Sequence, residues 1–152
     1  MGQQVEARFA RYADVMVETL GHADRATPAR WYLQGLMLPG QRKSVEPMAA
    51  RVHPQDVRSA HQSMHHLVAD SEWRDTALLA AVACEVVPVL SHAGHAPCYW
   101  ILDDTGVRKY GKHSVGVARQ YCGQLGKTDN CQVAVSLSLA TEEGSVPLGY
   151  RL

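Results

Sequence analysis

Two adjacent aspartates, Asp103 and Asp104, end the apolar run Cys98-Tyr99-Trp100-Ile101-Leu102 and precede Thr105-Gly106. A carboxylate at the terminus of a stiff strand reaches solvent while its backbone stays fixed, which suits a ligand for a hard divalent cation. Mg²⁺ keeps several waters and takes only one or two carboxylates plus substrate phosphate oxygens. Taken alone, the pair reads more readily as the end of a strand and the start of a turn, where aspartate is common. The residues that follow shift that balance. Between Thr105 and Lys127 lie five basic residues, Arg108, Lys109, Lys112, Arg119 and Lys127, and no acidic one. Phosphate-binding cations beside metal-binding carboxylates are the parts that phosphodiester cleavage requires. The competing reading of the same cations is a solvated hairpin face.

Three other groupings carry weaker chemistry. His92-x2-His95-x2-Cys98, with Cys84 nearby, has zinc-like spacing, but Gly94 and Pro97 interrupt it and no paired C-x-x-C knuckle accompanies it. Lys112-His113-Ser114-Val115-Gly116 is a near miss for a serine nucleophile elbow, with lysine where the first glycine is needed and a hairpin where a helix should follow. His65 and His66 fall on the polar side of an amphipathic helix, where surface histidines are ordinary. Cys122 and Cys131 flank a hairpin and read as packing thiols.

The elements that must hold these residues divide the chain in two. Residues 1–97 read as helices. Val5, Phe9, Tyr12, Met16 and Leu20 recur at helical steps and Gly21 follows as a stop. Thr27-Pro28 reads as an N-cap with proline at the first helical position, opening a helix that Pro39-Gly40 ends. Ser44 caps a brief helix over Met48 to Arg51, and Val57, Ala60 or His61, Met64 and Leu67 make another stripe. A last helix is expected from Ser71 to Val87, ended by Pro88. From residue 98 to 152 the period changes to 2. Cys98 to Asp103 predicts a short buried strand, Val115 to Tyr121 a second, and Val133 to Leu139 a third. Gly123 to Asn130 joins the second and third as a hairpin, and a turn at Glu142-Glu143-Gly144-Ser145 leads into a fourth strand.

Composition sets outer limits. The 152 residues carry 15 Lys and Arg against 15 Asp and Glu, and 46% are hydrophobic, enough for a packed core. The longest apolar run, Ala77 to Cys84, is far short of the ~18 residues a membrane helix needs. Glu6 and the absence of an apolar h-region argue against a secretory signal, and four cysteines in this setting read as reduced thiols of a cytoplasmic protein.

The combined pattern resembles a known family. Ile101-Leu102-Asp103-Asp104-Thr105-Gly106, Lys109-x-Gly111-Lys112-x-Ser114-Val115-Gly116-Val117, Arg119-Gln120-Tyr121-x-Gly123 and Asn130-Cys131-Gln132-Val133 are similar to the first catalytic block of bacterial insertion-sequence DDE transposases, in the group called DDE superfamily endonuclease. Gly35-Leu36, Arg42-Lys43-Ser44-x-Glu46-x-Met48-Ala49 and Ser71-x-Trp73 are similar to the same group's N-terminal region. The resemblance implies an α+β chain: an N-terminal helical region (1–97) followed by the first, largely antiparallel strands of an RNase H-like DDE catalytic core (98–152), truncated. It maps the first catalytic carboxylate and metal ligand to Asp103, with threonine two residues on, and leaves Asp104 as the alternative. It implies Mg²⁺ or Mn²⁺ in the intact enzyme, DNA at transposon ends and target as partner, a nucleoid-associated location, and room for a homo-oligomer. Arg108, Lys109, Lys112 and Arg119 then become candidate phosphate contacts. Because the family's second Asp and its Glu are not within the 152 residues, the expectation is a fragment that does not cut DNA. The rival expectation is a non-catalytic, truncated DNA-binding regulator of transposition.

Overall fold

A computed structural model describes residues 2–91 and 98–152, and the chain falls into two compact units, Met1–Ala81 and Val82–Leu152. The first unit holds helices α1 (Gly2–Glu18), α2 (Ala26–Met37), α3 (Val45–Val52) and α4 (Val57–Ala69), with a short 3-10 turn at Ala23–Arg25. α5 (Asp75–Leu90) begins in the first unit and ends in the second.

The helical stripes are core, as their periodicity dictates. Met48, Ala49, Ala60 and Met64 bury completely among Trp31, Tyr32, Val45, Val52 and Val57, while Leu20, Ala29 and Leu67 close a second cluster with Val17 and Trp73. Family-like positions of this region prove to be joints. A Cβ on Gly35 would stand 2.8 Å from Met48 Cβ, so glycine is what lets α2 and α3 approach. Lys43 Nζ donates to the carbonyls of Gly35 (3.3 Å), Leu36 (2.8 Å) and Leu38, satisfying groups that the end of α2 leaves open. Trp73 Nε1 donates to Leu67 O at 2.9 Å.

Three helix boundaries differ from the sequence expectation, the first being the start of α5 at Asp75 instead of Ser71. α2 begins at Ala26, directly after the 3-10 turn, so Thr27 is not its cap and Pro28 is the third helical residue. Proline is tolerated there because first-turn N–H groups have no helical acceptor. Pro88 does not end α5, which continues to Leu90. Leu90 packs on Leu139 and Val146, and that burial outweighs the one helical hydrogen bond a proline removes so near a C-terminus.

The second unit is an antiparallel sheet of β1 (Tyr99–Arg108), β2 (Val117–Cys122), β3 (Lys127–Thr141) and β4 (Gly144–Arg151). β3 is the centre. It pairs with β1 along one edge, and with β2 and β4 end to end along the other. The β2–β3 connection is tighter than expected: a 3-10 turn at Gly123–Leu125 closes on Gly126, whose φ of 62° favours glycine. Val82, Val86, Val87 and Leu90 of α5 pack on Leu139, Val146 and Leu148.

β1 departs most from expectation. It does not stop at Asp103 but runs straight through Asp104, Thr105 and Gly106 to Arg108. It is also exposed, Leu102 by 74% and Trp100 by 65%, because α5 covers β3 and β4 and β1 is paired only to β3 among the described residues. No helix among the described residues is long and apolar enough to cross a membrane.

Candidate metal and nucleic-acid site

Asp103 stands mid-strand in β1 opposite Ser136, and Asp104 opposite Val135. Successive strand residues project to opposite faces. Register therefore sorts the candidates. Asp103, Thr105, Arg119 and Tyr121 share a face with Ser136, Ala134, Gln132 and Asn130. Asp104, Gly106 and Arg108 share the other face with Cys131, Val135 and Leu139, and that face is covered by α5 at its Leu139 end. Both carboxylates are exposed, and one oxygen of Asp103 accepts the Asp104 N–H at 2.9 Å.

An exposed carboxylate on a paired strand fits one ligand position of a hard divalent cation. No three His, Cys, Asp or Glu side chains among the described residues stand together to hold a metal. Asp103 is therefore not joined by two further ligands among the described residues. The zinc-like spacing is not tested, since His92 and His95 lie outside the described residues.

Gly106 lies where β1 closes on β2. Cys122 Sγ donates to Gly106 O at 3.3 Å, and a Cβ on Gly106 would stand 3.0 Å from that sulfur and 3.1 Å from Cys122 Cα. β1 and β2 lie on opposite edges of β3, where a flat sheet would keep them roughly 9.5 Å apart. The sheet curls at this end, and glycine permits it. Cys122 and Cys131 are fully buried, as packing thiols should be, and burial beside Cys122 pushes the Cys131 thiol up.

Two of the basic residues converge on a carboxylate that a charge count ending at Lys127 overlooks. Arg108 Nε lies 3.5 Å and Lys127 Nζ 3.8 Å from Asp129 Oδ2. The Asn130 N–H donates to Asp129 Oδ1 at 2.8 Å, and this bond leads the causes that hold Asp129 below its ordinary range; burial opposes it, and Arg108, Lys127 and Arg119 reinforce it. Lys109 and Lys112 stand apart, in the loop between β1 and β2.

That loop is clamped at both roots. Asn130 Nδ2 donates to Lys109 O (2.7 Å) and Gly111 O (2.9 Å), and Asn130 O accepts the Lys109 N–H at 2.9 Å. Gln132 Nε2 donates to Val115 O at 2.5 Å, and Gln120 Nε2 to Cys131 O at 3.0 Å. Asn130, Gln132 and Gln120 all belong to the family-like pattern, which is the signal that marks them, although spacing alone assigns them no task. At the loop's start Tyr110 is 88% exposed, with the Arg108 guanidinium 4.9 Å from its ring centroid.

The structure thus presents an exposed strand-borne aspartate, basic side chains around Asp129 and a loop clamped by Asn130 and Gln132. The family model described as DDE superfamily endonuclease matches residues 15–152, and the chain belongs to that family. It is similar to a probable transposase for insertion sequence element IS701 from Microchaete diplosiphon, with 40% identity over 76 residues. That match covers 50% of this chain and 19% of the relative. No solved structure matches.

Proposed function

We propose that this chain serves as part of a DNA transposase, contributing a helical region and the opening strands of an RNase H-like catalytic core. The observation that carries the reading is the family match over residues 15–152, which spans every candidate site residue. Asp103 is the residue that would hold a divalent cation, Mg²⁺ or Mn²⁺. Bound there, the cation would supply Lewis-acid polarisation of a phosphodiester during cleavage and strand transfer at transposon ends. Asp103 is favoured over Asp104 because its face carries Ser136 and Arg119, whereas the Asp104 face carries the apolar contacts of α5.

Arg108, Lys109, Lys112 and Arg119 are assigned to the DNA backbone. The five residue steps from Asp103 to Arg108 correspond to roughly 17 Å of strand. At about 3.4 Å of axis per nucleotide of one strand, that is about five nucleotides. Arg119 borders the Asp103 face, while Arg108, on the opposite face at the end of the strand, and Lys109 and Lys112 in the loop beyond it meet phosphates further along the duplex, leaving the reacting phosphate to the carboxylate. Such contacts position DNA without reading its sequence.

Salt dependence tests the assignment. Log affinity for duplex DNA falls with log salt by about 0.9 per neutralised phosphate. Replacing Arg108, Lys109, Lys112 and Arg119 by alanine together should lower that slope by about 3 to 4. An unchanged slope refutes the assignment. In a transposase carrying a complete catalytic domain around this segment, Asp103→Asn should abolish Mn²⁺-dependent end cleavage while Asp104→Asn retains it; the opposite pattern exchanges their roles.

A further inference from the structure

We propose that Tyr110 is a stacking platform for an unpaired DNA base, held in position by Arg108 and Asp129; the proposal rests on the DNA-binding reading above. Tyr110 is the most exposed of the large hydrophobic side chains described, at 88%, so its ring contributes almost nothing to the core of its own unit. Yet it is not left free to wander. The Arg108 guanidinium stands 4.9 Å from the ring centroid, a cation–π distance. Arg108 is in turn paired with Asp129 at 3.5 Å, and Asp129 is fixed by the Asn130 N–H at 2.8 Å. The backbone on either side of Tyr110 is pinned by the two bonds from Asn130 Nδ2, to Lys109 O and Gly111 O.

This arrangement orders an aromatic ring before any ligand arrives, which lowers the entropy lost on binding. Arg108 occupies one side of the ring, and the high exposure leaves the rest of it open to solvent. Lys109 adjoins Tyr110 in the chain and Lys112 follows two residues on, so the ligand is one that brings negative charge and a flat π surface together. Nucleotides do both, the phosphate supplying the charge and the base the π face, and aromatic rings interleaved with cations are how single strands are gripped without sequence preference. In an intact duplex each base is already stacked and paired. Tyr110 would therefore meet a base only where the strand is frayed, nicked or flipped. Asp129 thereby acquires a purpose that neutralising its neighbours does not explain: it is a positioning residue for Arg108 and, through it, for the ring.

The test compares a short oligothymidylate with a blunt duplex by fluorescence anisotropy, and repeats the single strand with one 2-aminopurine. Tyr110→Ala should weaken single-strand binding about tenfold, leave duplex binding within about twofold, and abolish 2-aminopurine quenching. Tyr110→Phe and Tyr110→Trp should keep both the affinity and the quenching. Asp129→Asn separates positioning from charge: it makes the surface more positive, which by electrostatics alone tightens both probes, whereas loosening Arg108 reduces the quenching. Equal losses on both probes, or quenching that survives in Tyr110→Ala, overturn the proposal while leaving the phosphate contacts standing. Failure of the unaltered chain to bind either probe overturns both readings together.

Discussion

Gly106 offers the sharpest test of how β1 is positioned. Replacing it by alanine sets a methyl carbon 3.0 Å from Cys122 Sγ, 3.1 Å from Cys122 Cα and 3.4 Å from Gly123 N. Cys122 is fully buried and two of the three obstacles are backbone, so no side-chain rotation clears the space. β1 and β2 must separate by several tenths of an ångström, stretching the 3.3 Å bond from Cys122 Sγ to Gly106 O. Overpacking of this kind costs about 1–3 kcal/mol. Gly106 is not among the glycines with positive φ, so alanine also restricts the unfolded chain and returns about 0.4–1 kcal/mol. The net loss is about 0.5–2 kcal/mol, or roughly a two- to thirtyfold acceleration of amide exchange. Hydrogen-exchange mass spectrometry of peptides spanning residues 99–108 and 117–132 would read it directly, with α2 to α4 as the internal reference. Gly111→Ala, where a Cβ meets nothing within 4 Å, should exchange like the parent. Cys122→Ala removes the sulfur but not the Cα, so in the double variant it should recover part of the loss. A Gly106→Ala chain with unchanged protection in β1 and β2, or strictly additive losses in the double variant, would refute close approach as the reason for glycine.

Two further outcomes follow from other joints. Gly35→Ala places a Cβ 2.8 Å from Met48 Cβ, at a residue with no exposed surface, and overpacking of about 1–3 kcal/mol should outweigh the ~1 kcal/mol that alanine gains in a helix. Urea denaturation of the helical signal should therefore show a lower midpoint, and a rise would contradict the packing. For Asp129 the folded-state pKa is depressed, so its contribution is present above the unfolded value near 4 and disappears as pH falls through the folded value. Protection of the β2–β3 hairpin should weaken on acidification through that window, and Asp129→Asn should flatten the response; parallel profiles would remove Asp129 as the cause.

Helices α1 and α4 and the hairpin of β3 with β4 were legible in the sequence because apolar spacing alone determines their buried faces. Met64 and Leu67 are core for the reason their spacing gives, and Leu139 packs where its alternation puts it. The boundaries that escaped are those decided by a partner remote in sequence. Pro88 carries a local signal to stop, and Leu90 overrules it through Leu139 and Val146. Asp103-Asp104-Thr105-Gly106 has the composition of a turn, and it is strand because Gly106 lies against Cys122. The same limit governs charge. A window from Thr105 to Lys127 contains no acid, yet Arg108 and Lys127 meet Asp129 just beyond it.

Register carries the argument one step past spacing. Adjacent aspartates are equivalent in a sequence, but pairing with Ser136 and Val135 sends them to opposite faces. Arg119 lies with Asp103 on one face, and Arg108 with Asp129 on the other. The basic residues are therefore two groups: Arg119 borders the carboxylate face, while Arg108 backs Tyr110. Removing the charge of Arg119 should leave the readout of Arg108 at the ring in place. Arg119→Ala should lower the salt slope of duplex binding by about 1 and spare 2-aminopurine quenching. Arg108→Ala should lower both, because that residue alone joins a phosphate contact to the ring. If Arg119→Ala also removed the quenching, the two faces would be acting as one surface, and the division by register would fail.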